Sequence, residues 1–204
     1  MDKFTLPCSL SLEQASSQAT AEFKATILRD IGTEYESFID MTGGMGVDTM
    51  FLSPLFKKAI YIEQNAELCS IATSNFKAMG IENIEVVCAD STQYISDIEH
   101  ASVIYADPAR RSHSGGKLVS ISDCEPNLLP FLDVILPKCG ILMVKLSPML
   151  DITIAEKELK GVTDLYVVSV QGECKELLAI CSKDSVGSIS IHCVNLPETT
   201  EFTF

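Results

Sequence analysis

The chain has 204 residues, 47% of them hydrophobic, and carries 15 basic against 28 acidic side chains, for a net charge of −13. This length allows one well-filled domain, with room for a small addition. No apolar run approaches the roughly 20 residues that cross a membrane, and the negative charge should repel polyanions unless a local basic patch exists.

The cysteines and the start of the chain indicate a cytoplasmic protein. The sequence opens without the charged and apolar blocks of a secretory signal. No C-x-x-C pair occurs, so the cysteines are interpreted as reduced core thiols. Three scattered histidines and isolated cysteines give no metal-ligand spacing, and no metal site is predicted.

The first predicted element is a helix over residues 11–31. It opens with a possible capping box from Ser11 to Gln14, and Gly32 is a suitable end. Strand and helix patterns then alternate, which predicts a doubly wound parallel sheet. The elements are a strand near 36–40, a helix 46–56, a strand 59–63, a helix 65–79, a strand 84–89, a short helix 92–98, a strand 102–106, a polar loop 107–122, a helix 125–136, a strand 140–146 and a helix 151–159.

The end of the chain departs from this alternation. Val162–Val170 and Glu176–Cys181 have strand patterns with a tight turn between them, which predicts an antiparallel pair. Ser188–Val194 is one more strand-like run without an obvious partner. We expect it to lead into a part that this chain does not contain.

The most informative motif runs from Asp40 to Gly46, with the sequence D-M-T-G-G-M-G, between an apolar strand and a helix pattern. Glycines let the backbone approach a ligand closely, and a helix start presents free N–H groups. The third glycine of the dinucleotide fingerprint is replaced by Thr49. Asp40 would repel a pyrophosphate, whereas it suits a cationic group such as the amino group of S-adenosylmethionine. An ordinary strand–helix turn is the alternative.

Two further acids follow the next strands. Glu63 ends the strand after the glycine turn, at the position expected for a ribose-binding acid, and Asp90 follows the next apolar run. Three acids at successive strand ends favour a methyl donor over a nicotinamide cofactor.

The fourth strand closes with Asp107-Pro108-Ala109-Arg110-Arg111. Acceptor oxygens of Asp107 and Pro108 can orient an amine and draw its proton during an in-line displacement. A rigid turn is the alternative. The two arginines can bind an anionic substrate such as RNA, and pairing with local acids is the alternative.

Lys145 lies at the end of the fifth predicted strand, at the same edge of the sheet as Asp107. It can contact a substrate phosphate or pair with an acid, and the sequence favours neither strongly. Neither Asp107–Arg111 nor Lys145–Met149 contains a cysteine, so methyl transfer through a covalent cysteine intermediate is not expected.

Together these motifs resemble the class I S-adenosylmethionine-dependent methyltransferases over about residues 11–182. The resemblance implies an α/β, Rossmann-like fold with a seven-stranded, mostly parallel sheet, an antiparallel C-terminal hairpin and an N-terminal helix. The domains implied are a helical extension 1–34, a catalytic domain 35–184 and an extension 185–204.

The resemblance also implies roles for residues. The predicted cofactor-binding residues are Asp40, Thr42, Gly43, Gly44, Gly46, Glu63, Asp90 and Asp107. Glu63 would hold the ribose hydroxyls and Asp90 the adenine amino group, while Asp107 and Pro108 would stand beside the transferred methyl group. Arg110, Arg111 and Lys145 are the predicted substrate contacts. More weakly, Thr20 and Lys24 would approach the cofactor.

More narrowly, Ser11–Ser17, the D-P-A-R-R stretch and Gly172–Glu176 resemble a bacterial group of predicted RNA methyltransferases with a THUMP-like domain after the catalytic one. The D-P-A-R motif departs from the D/N-P-P-aromatic form of amino-group methylation. The prediction is non-covalent methylation of an RNA base nitrogen, in which RNA binding could need an additional domain. A small-molecule or protein methyltransferase and a non-catalytic cofactor-binding module are the alternatives.

Overall fold

The structure, a computed structural model, describes residues 16–32, 36–110, 120–185, 187–197 and 200–203. The chain divides into two compact units between Ser102 and Val103. Within the described residues, no helix is both long and apolar enough to span a membrane.

The first unit alternates helices with short parallel strands. Its elements are α1 (Gln18–Ile31), β1 (Ser37–Asp40), α2 (Val47–Leu52), β2 (Lys58–Glu63), α3 (Ala66–Ala78), β3 (Ile84–Cys88) and α4 (Ser91–Tyr94). β1 pairs with β2 and β2 with β3, both in parallel. Asp40 lies opposite Tyr61, and Glu63 lies opposite Cys88, so the acids at the strand ends share one edge as the sequence predicts.

A small core supports the turn after β1. Tyr61 on β2 and Phe76 on α3 are buried and meet edge to face, with ring centroids 5.6 Å apart. Met50, Cys69 and Ala72 complete this cluster. The contact between the two aromatic rings fixes α3 against β2 directly below the glycine turn.

The second unit is dominated by a mixed sheet. Its elements are β4 (Ala101–Ala106, which begins at the boundary), β5 (Ala109–Arg110), β6 (Cys124–Glu125), α5 (Leu132–Ile135), β7 (Cys139–Leu146), α6 (Ile152–Glu158), β8 (Val162–Val170), β9 (Glu173–Cys181), β10 (Ser190–Leu196) and β11 (Thr200–Thr203). The strand order here is β11-β10-β8-β9-β7-β4, and β5 pairs separately with β6.

The predicted number of seven strands is wrong. Leaving out the β5–β6 pair, the described residues contain nine strands, three in the first unit and six counted with β4 in the second. The antiparallel pair β8–β9 is present, but β9 begins at Glu173, three residues earlier than predicted. The last predicted strand has partners after all, because β10 pairs in parallel with β8 and antiparallel with β11.

Three predicted helices also differ from the structure. α1 begins at Gln18, because the extended Ser17 is its N-cap and accepts a hydrogen bond from the Thr20 amide; the predicted capping box lies outside the described residues. The helix predicted at 92–98 is the single turn α4. The helix predicted at 125–136 is broken into short 3₁₀ turns and the four-residue α5, in a segment with prolines at 126, 130 and 137.

Candidate functional site

Asp40 organises the turn that follows β1. It is 1% exposed, and its Oδ1 accepts a hydrogen bond from the Thr42 amide at 2.9 Å. Its Oδ2 accepts one from the Thr49 hydroxyl at 2.5 Å. The carboxylate therefore ties the turn to the first helical residues behind it, and a buried charge is made tolerable by these donors.

The glycines of the turn are required by its packing. A Cβ on Gly43 would lie 2.2 Å from the Tyr61 ring, and one on Gly46 would lie 2.8 Å from Phe76. Gly44 and Gly46 have φ values of +51° and +75°, in the left-handed region that favours glycine. Gly46 is the N-cap of α2, so the turn passes directly into a helix start.

Glu63 and Tyr61 hold the peptide groups of Gly44 from β2. Glu63 accepts a hydrogen bond from the Gly44 amide at 2.9 Å, and the Tyr61 hydroxyl donates to the Gly44 carbonyl at 2.6 Å. Burial raises the pKa of the Tyr61 phenol well above its usual value, so it remains a donor. The other oxygen of Glu63 accepts from the Asn65 amide at 2.9 Å.

Asp90 is the N-cap of α4. Its Oδ1 accepts hydrogen bonds from the Thr92 amide and hydroxyl at 2.9 and 2.7 Å, and its Oδ2 accepts one from Gln93 at 3.1 Å. The Thr92 hydroxyl bond is the largest of the effects that hold the pKa of Asp90 below its usual value. The side chain is exposed and anionic, two residues beyond the end of β3.

Behind the turn lies a buried ion pair. The Lys24 ammonium on α1 is 0% exposed and lies 3.1 Å from the Asp48 carboxylate on α2. The Ser16 hydroxyl donates to Asp48 at 2.7 Å and accepts from Lys24 at 3.1 Å. These contacts attach α1 to the helix that begins at the glycine turn.

The second unit contains the predicted catalytic acid. Asp107 follows β4, and its carboxylate accepts a hydrogen bond from the Lys145 ammonium of β7 at 2.5 Å. The Lys145 side chain is 13% exposed and that of Asp107 28%, so the pair is largely shielded from solvent. Of the two alternatives for Lys145, the structure shows pairing with an acid.

The remaining predicted residues are described in part. Pro108 lies between β4 and β5, and the backbone of Arg110 forms β5 opposite Cys124. The Arg110 side chain and Arg111 lie outside the described residues. No group of three or more potential metal ligands occurs in the described part of the chain.

In the first unit, the structure therefore brings Asp40, Thr42, the three glycines and Glu63 into one hydrogen-bonded turn. Asp90 makes its contacts with its own helix. Sequence reasoning missed Tyr61 as a support of this turn and Asp48 as the partner of Lys24. The signal for Tyr61 was its place two residues before Glu63, which puts both side chains on the same face of a strand.

Residues 5–106 match the model of the protein-L-isoaspartate(D-aspartate) O-methyltransferase family, PCMT. That range is half of the chain. The chain belongs to this methyltransferase family. No curated protein matches it in sequence.

Solved structures agree with the family. A Porphyromonas gingivalis W83 protein provisionally assigned as a methyltransferase is 34% identical with a TM-score of 0.85, over 98% of this chain and 50% of its own. The chain thus spans half the length of that relative. A Streptococcus mutans protein with the same provisional assignment, in complex with SAH, has a TM-score of 0.57 at 19% identity, over 78% of this chain and 94% of its own.

An rRNA methylase from Streptococcus thermophilus has a TM-score of 0.54 at 18% identity, over 79% of this chain and 94% of its own. At such identities the similarity shows the fold. The chain is thus a member of a methyltransferase family and has an α/β, Rossmann-like architecture with a mixed sheet.

Proposed function

We propose that this methyltransferase transfers a methyl group directly to a nitrogen of an RNA base. The observation that carries the proposal is the shielded Asp107–Lys145 pair at the end of β4, with two arginines at positions 110 and 111, three and four residues after Asp107. Asp107 supplies an acceptor for an N–H group, and the arginines supply guanidinium groups for phosphate. The S. thermophilus rRNA methylase shares the fold and is consistent with this substrate class.

For the cofactor, we propose that the turn Asp40–Gly46 receives the methionine part, Glu63 the ribose and Asp90 the adenine amino group. The donor set fits, because ribose hydroxyls and an adenine amino group are donors and both acids are acceptors. Glu63 lies opposite Cys88, two residues before Asp90, which puts the two acids at one edge of the sheet. When bound, the cofactor supplies an electrophilic methyl group on a sulfonium.

We further propose that Lys145 is a positioning residue for Asp107, in place of the predicted phosphate contact. A carboxylate held at 2.5 Å by one ammonium keeps one orientation, and preorganisation of this kind lowers the barrier to a displacement. Asp107 then faces the acceptor nitrogen as its hydrogen-bond partner.

The net charge of −13 favours a second candidate, a protein or small-molecule substrate. The family description names a protein O-methyltransferase, which is consistent with it. RNA remains the first proposal on the strength of the arginine pair, and we propose that RNA binding needs a further, THUMP-like domain.

The domain boundaries at residues 34 and 184 remain predictions, and we propose that the protein acts in the cytoplasm.

The test is transfer of tritiated methyl groups from S-adenosylmethionine to separated RNA, protein and metabolite fractions of a strain lacking the gene. The proposal expects label in RNA, at a base nitrogen by nucleoside mass spectrometry. Asp107→Asn should lower transfer about 100-fold or more, whereas Asp133→Asn, which alters the exposed pair with Lys160, should leave it unchanged. Label confined to protein or metabolites would replace the first candidate by the second.

Lys145 is tested with Lys145→Met and Lys145→Arg. If it positions Asp107, kcat should fall in Lys145→Met with little change in KM, and Lys145→Arg should recover part of the rate. A rise in KM with an unchanged kcat would instead identify a substrate phosphate contact. Lys160→Met is the matched control, since it removes an exposed lysine from the same unit.

A further inference from the structure

Two cysteines of the first unit lie close together beside Glu63. Cys88 is exposed and is the last residue of β3, opposite Glu63 in the strand register. Cys69 is buried on α3, and its thiol donates to the Glu63 carbonyl at 3.2 Å. The Cys88 thiol contacts the next carbonyl, that of Gln64, at 3.9 Å. Because the two thiols reach the carbonyls of consecutive residues, Glu63 and Gln64, they lie against the same short loop.

We propose that Cys88 and Cys69 are a thiol modification site that reacts with a low-molecular-weight disulfide such as oxidised glutathione. The final product is a disulfide between the two cysteines. The Cys88 thiolate attacks one sulfur of the reagent, forms a mixed disulfide and releases one thiolate. The Cys69 thiolate then attacks the sulfur of Cys88, forms the Cys69–Cys88 bond and releases the second thiolate. The two protons lost by the cysteines end on the two released thiols, and the reagent is the species reduced.

The order of the two steps follows from exposure. Cys88 is accessible to the reagent, whereas Cys69 is 6% exposed. Burial, followed by the hydrogen bond with Cys88, raises the pKa of the Cys69 thiol to about 12. At neutral pH the mixed disulfide at Cys88 should therefore accumulate, and ring closure should accelerate about tenfold per pH unit as the Cys69 thiolate fraction rises.

Modification should act on the edge where the cofactor is proposed to bind, and this consequence rests on the proposed function. The Glu63 carbonyl accepts from both Cys69 and the Ala89 amide, at 3.2 and 3.0 Å. A disulfide withdraws the Cys69 thiol from that carbonyl, and a glutathione on Cys88 adds bulk two residues before Asp90. We therefore expect the affinity for S-adenosylhomocysteine to fall at least tenfold in either modified form.

The experiment treats the full chain with oxidised glutathione at pH 7 and pH 9 and maps the products by peptide mass spectrometry. The expected products are one glutathione on Cys88 at pH 7 and a Cys69–Cys88 disulfide at pH 9. Calorimetry with S-adenosylhomocysteine then compares treated and reduced protein. Cys88→Ser should keep its affinity after treatment, whereas Cys174→Ser, which removes an exposed thiol of the second unit, should lose it like the wild type. Dithiothreitol should restore the affinity.

Two results would overturn the proposal in different ways. If neither product forms at Cys88 while Cys174 is modified, the thiol site is wrong whatever the cofactor site. If the products form and the affinity is unchanged, the effect on the cofactor is wrong. In that case Glu63→Ala in the reduced protein separates the causes, because a loss of affinity there keeps the proposed cofactor site and an unchanged affinity removes it.

Discussion

Replacing Glu63 by alanine tests the proposed ribose acid and its contact with the glycine turn together. In the structure the carboxylate accepts hydrogen bonds from the Gly44 and Asn65 amides, both at 2.9 Å. Glu63→Ala removes these acceptors and also the proposed acceptor for the ribose hydroxyls. A hydrogen bond to a charged group contributes about 1.5–3 kcal/mol, and of the two amides the exposed one, that of Asn65, regains water when the carboxylate is removed.

We therefore expect Glu63→Ala to weaken S-adenosylhomocysteine binding by about 2–3 kcal/mol, which is about 30- to 150-fold in Kd. Glu63→Gln should have an intermediate effect, because its amide keeps one acceptor oxygen but places an NH₂ group against a second donor. The assay is isothermal titration calorimetry, with circular dichroism to establish that each variant is folded.

Glu85→Ala is the matched control. Glu85 lies on the neighbouring strand β3, is exposed and pairs with Lys58 at 3.1 Å, so its loss changes the net charge equally without touching the turn. A folded Glu63→Ala protein that binds within twofold of wild type would refute the reasoning. An equal loss in Glu85→Ala would show that overall charge, and not the ribose acid, sets the affinity.

Three further predictions concern substitutions in the first unit. Gly43→Ala places a Cβ 2.2 Å from the Tyr61 ring and should lower the free energy of unfolding by about 1–3 kcal/mol in urea titrations. Lys24→Met leaves the Asp48 carboxylate without its buried counter-ion and should cost about 3–5 kcal/mol in the same assay. Hydrogen bonds lower the pKa of Asp90 from its ordinary 3.8. The ionised carboxylate therefore stabilises the folded state above pH 3.8, and this stabilisation is lost as the pH falls below that value. Asp90→Asn should reduce the loss of stability measured in acid titrations.

Each of these outcomes has a clear contrary result. Unchanged stability in Gly43→Ala would mean that Tyr61 can move aside at no cost. Near wild-type stability in Lys24→Met would show that water replaces the ammonium beside Asp48. An acid titration of Asp90→Asn that overlays the wild type would remove Asp90 from the pH dependence.

The glycine turn and its acids could be predicted from the sequence because they obey local rules. A carboxylate at a strand end, glycines where the backbone turns and a helix start directly afterwards are all encoded within a few residues. Asp40 and Asp90 are predicted to face the cofactor, and that role stays a prediction. The structure shows that their oxygens accept hydrogen bonds from the backbone of the turn and of α4, two residues further along the chain.

The features that the sequence did not predict are a segment where prolines oppose a helical pattern and contacts between residues far apart in the chain. Periodicity alone suggested one helix over 125–136, but the prolines remove backbone donors and the chain forms short turns instead. The partners of β10 could not be read locally, because β8 lies some twenty residues earlier and pairs with it in parallel. The Lys145–Asp107 pair likewise joins two residues that are 38 positions apart in the sequence.

The most direct measurement of the central claim is a crystal structure of this chain with S-adenosylhomocysteine at saturating concentration. We expect the ribose hydroxyls within hydrogen-bond distance of Glu63 and the adenine amino group beside Asp90, at the edge formed by the ends of β2 and β3. An adenosine moiety of S-adenosylhomocysteine bound at any other surface of the chain, with Glu63 and Asp90 making no contact with the ligand, would contradict the proposed cofactor site.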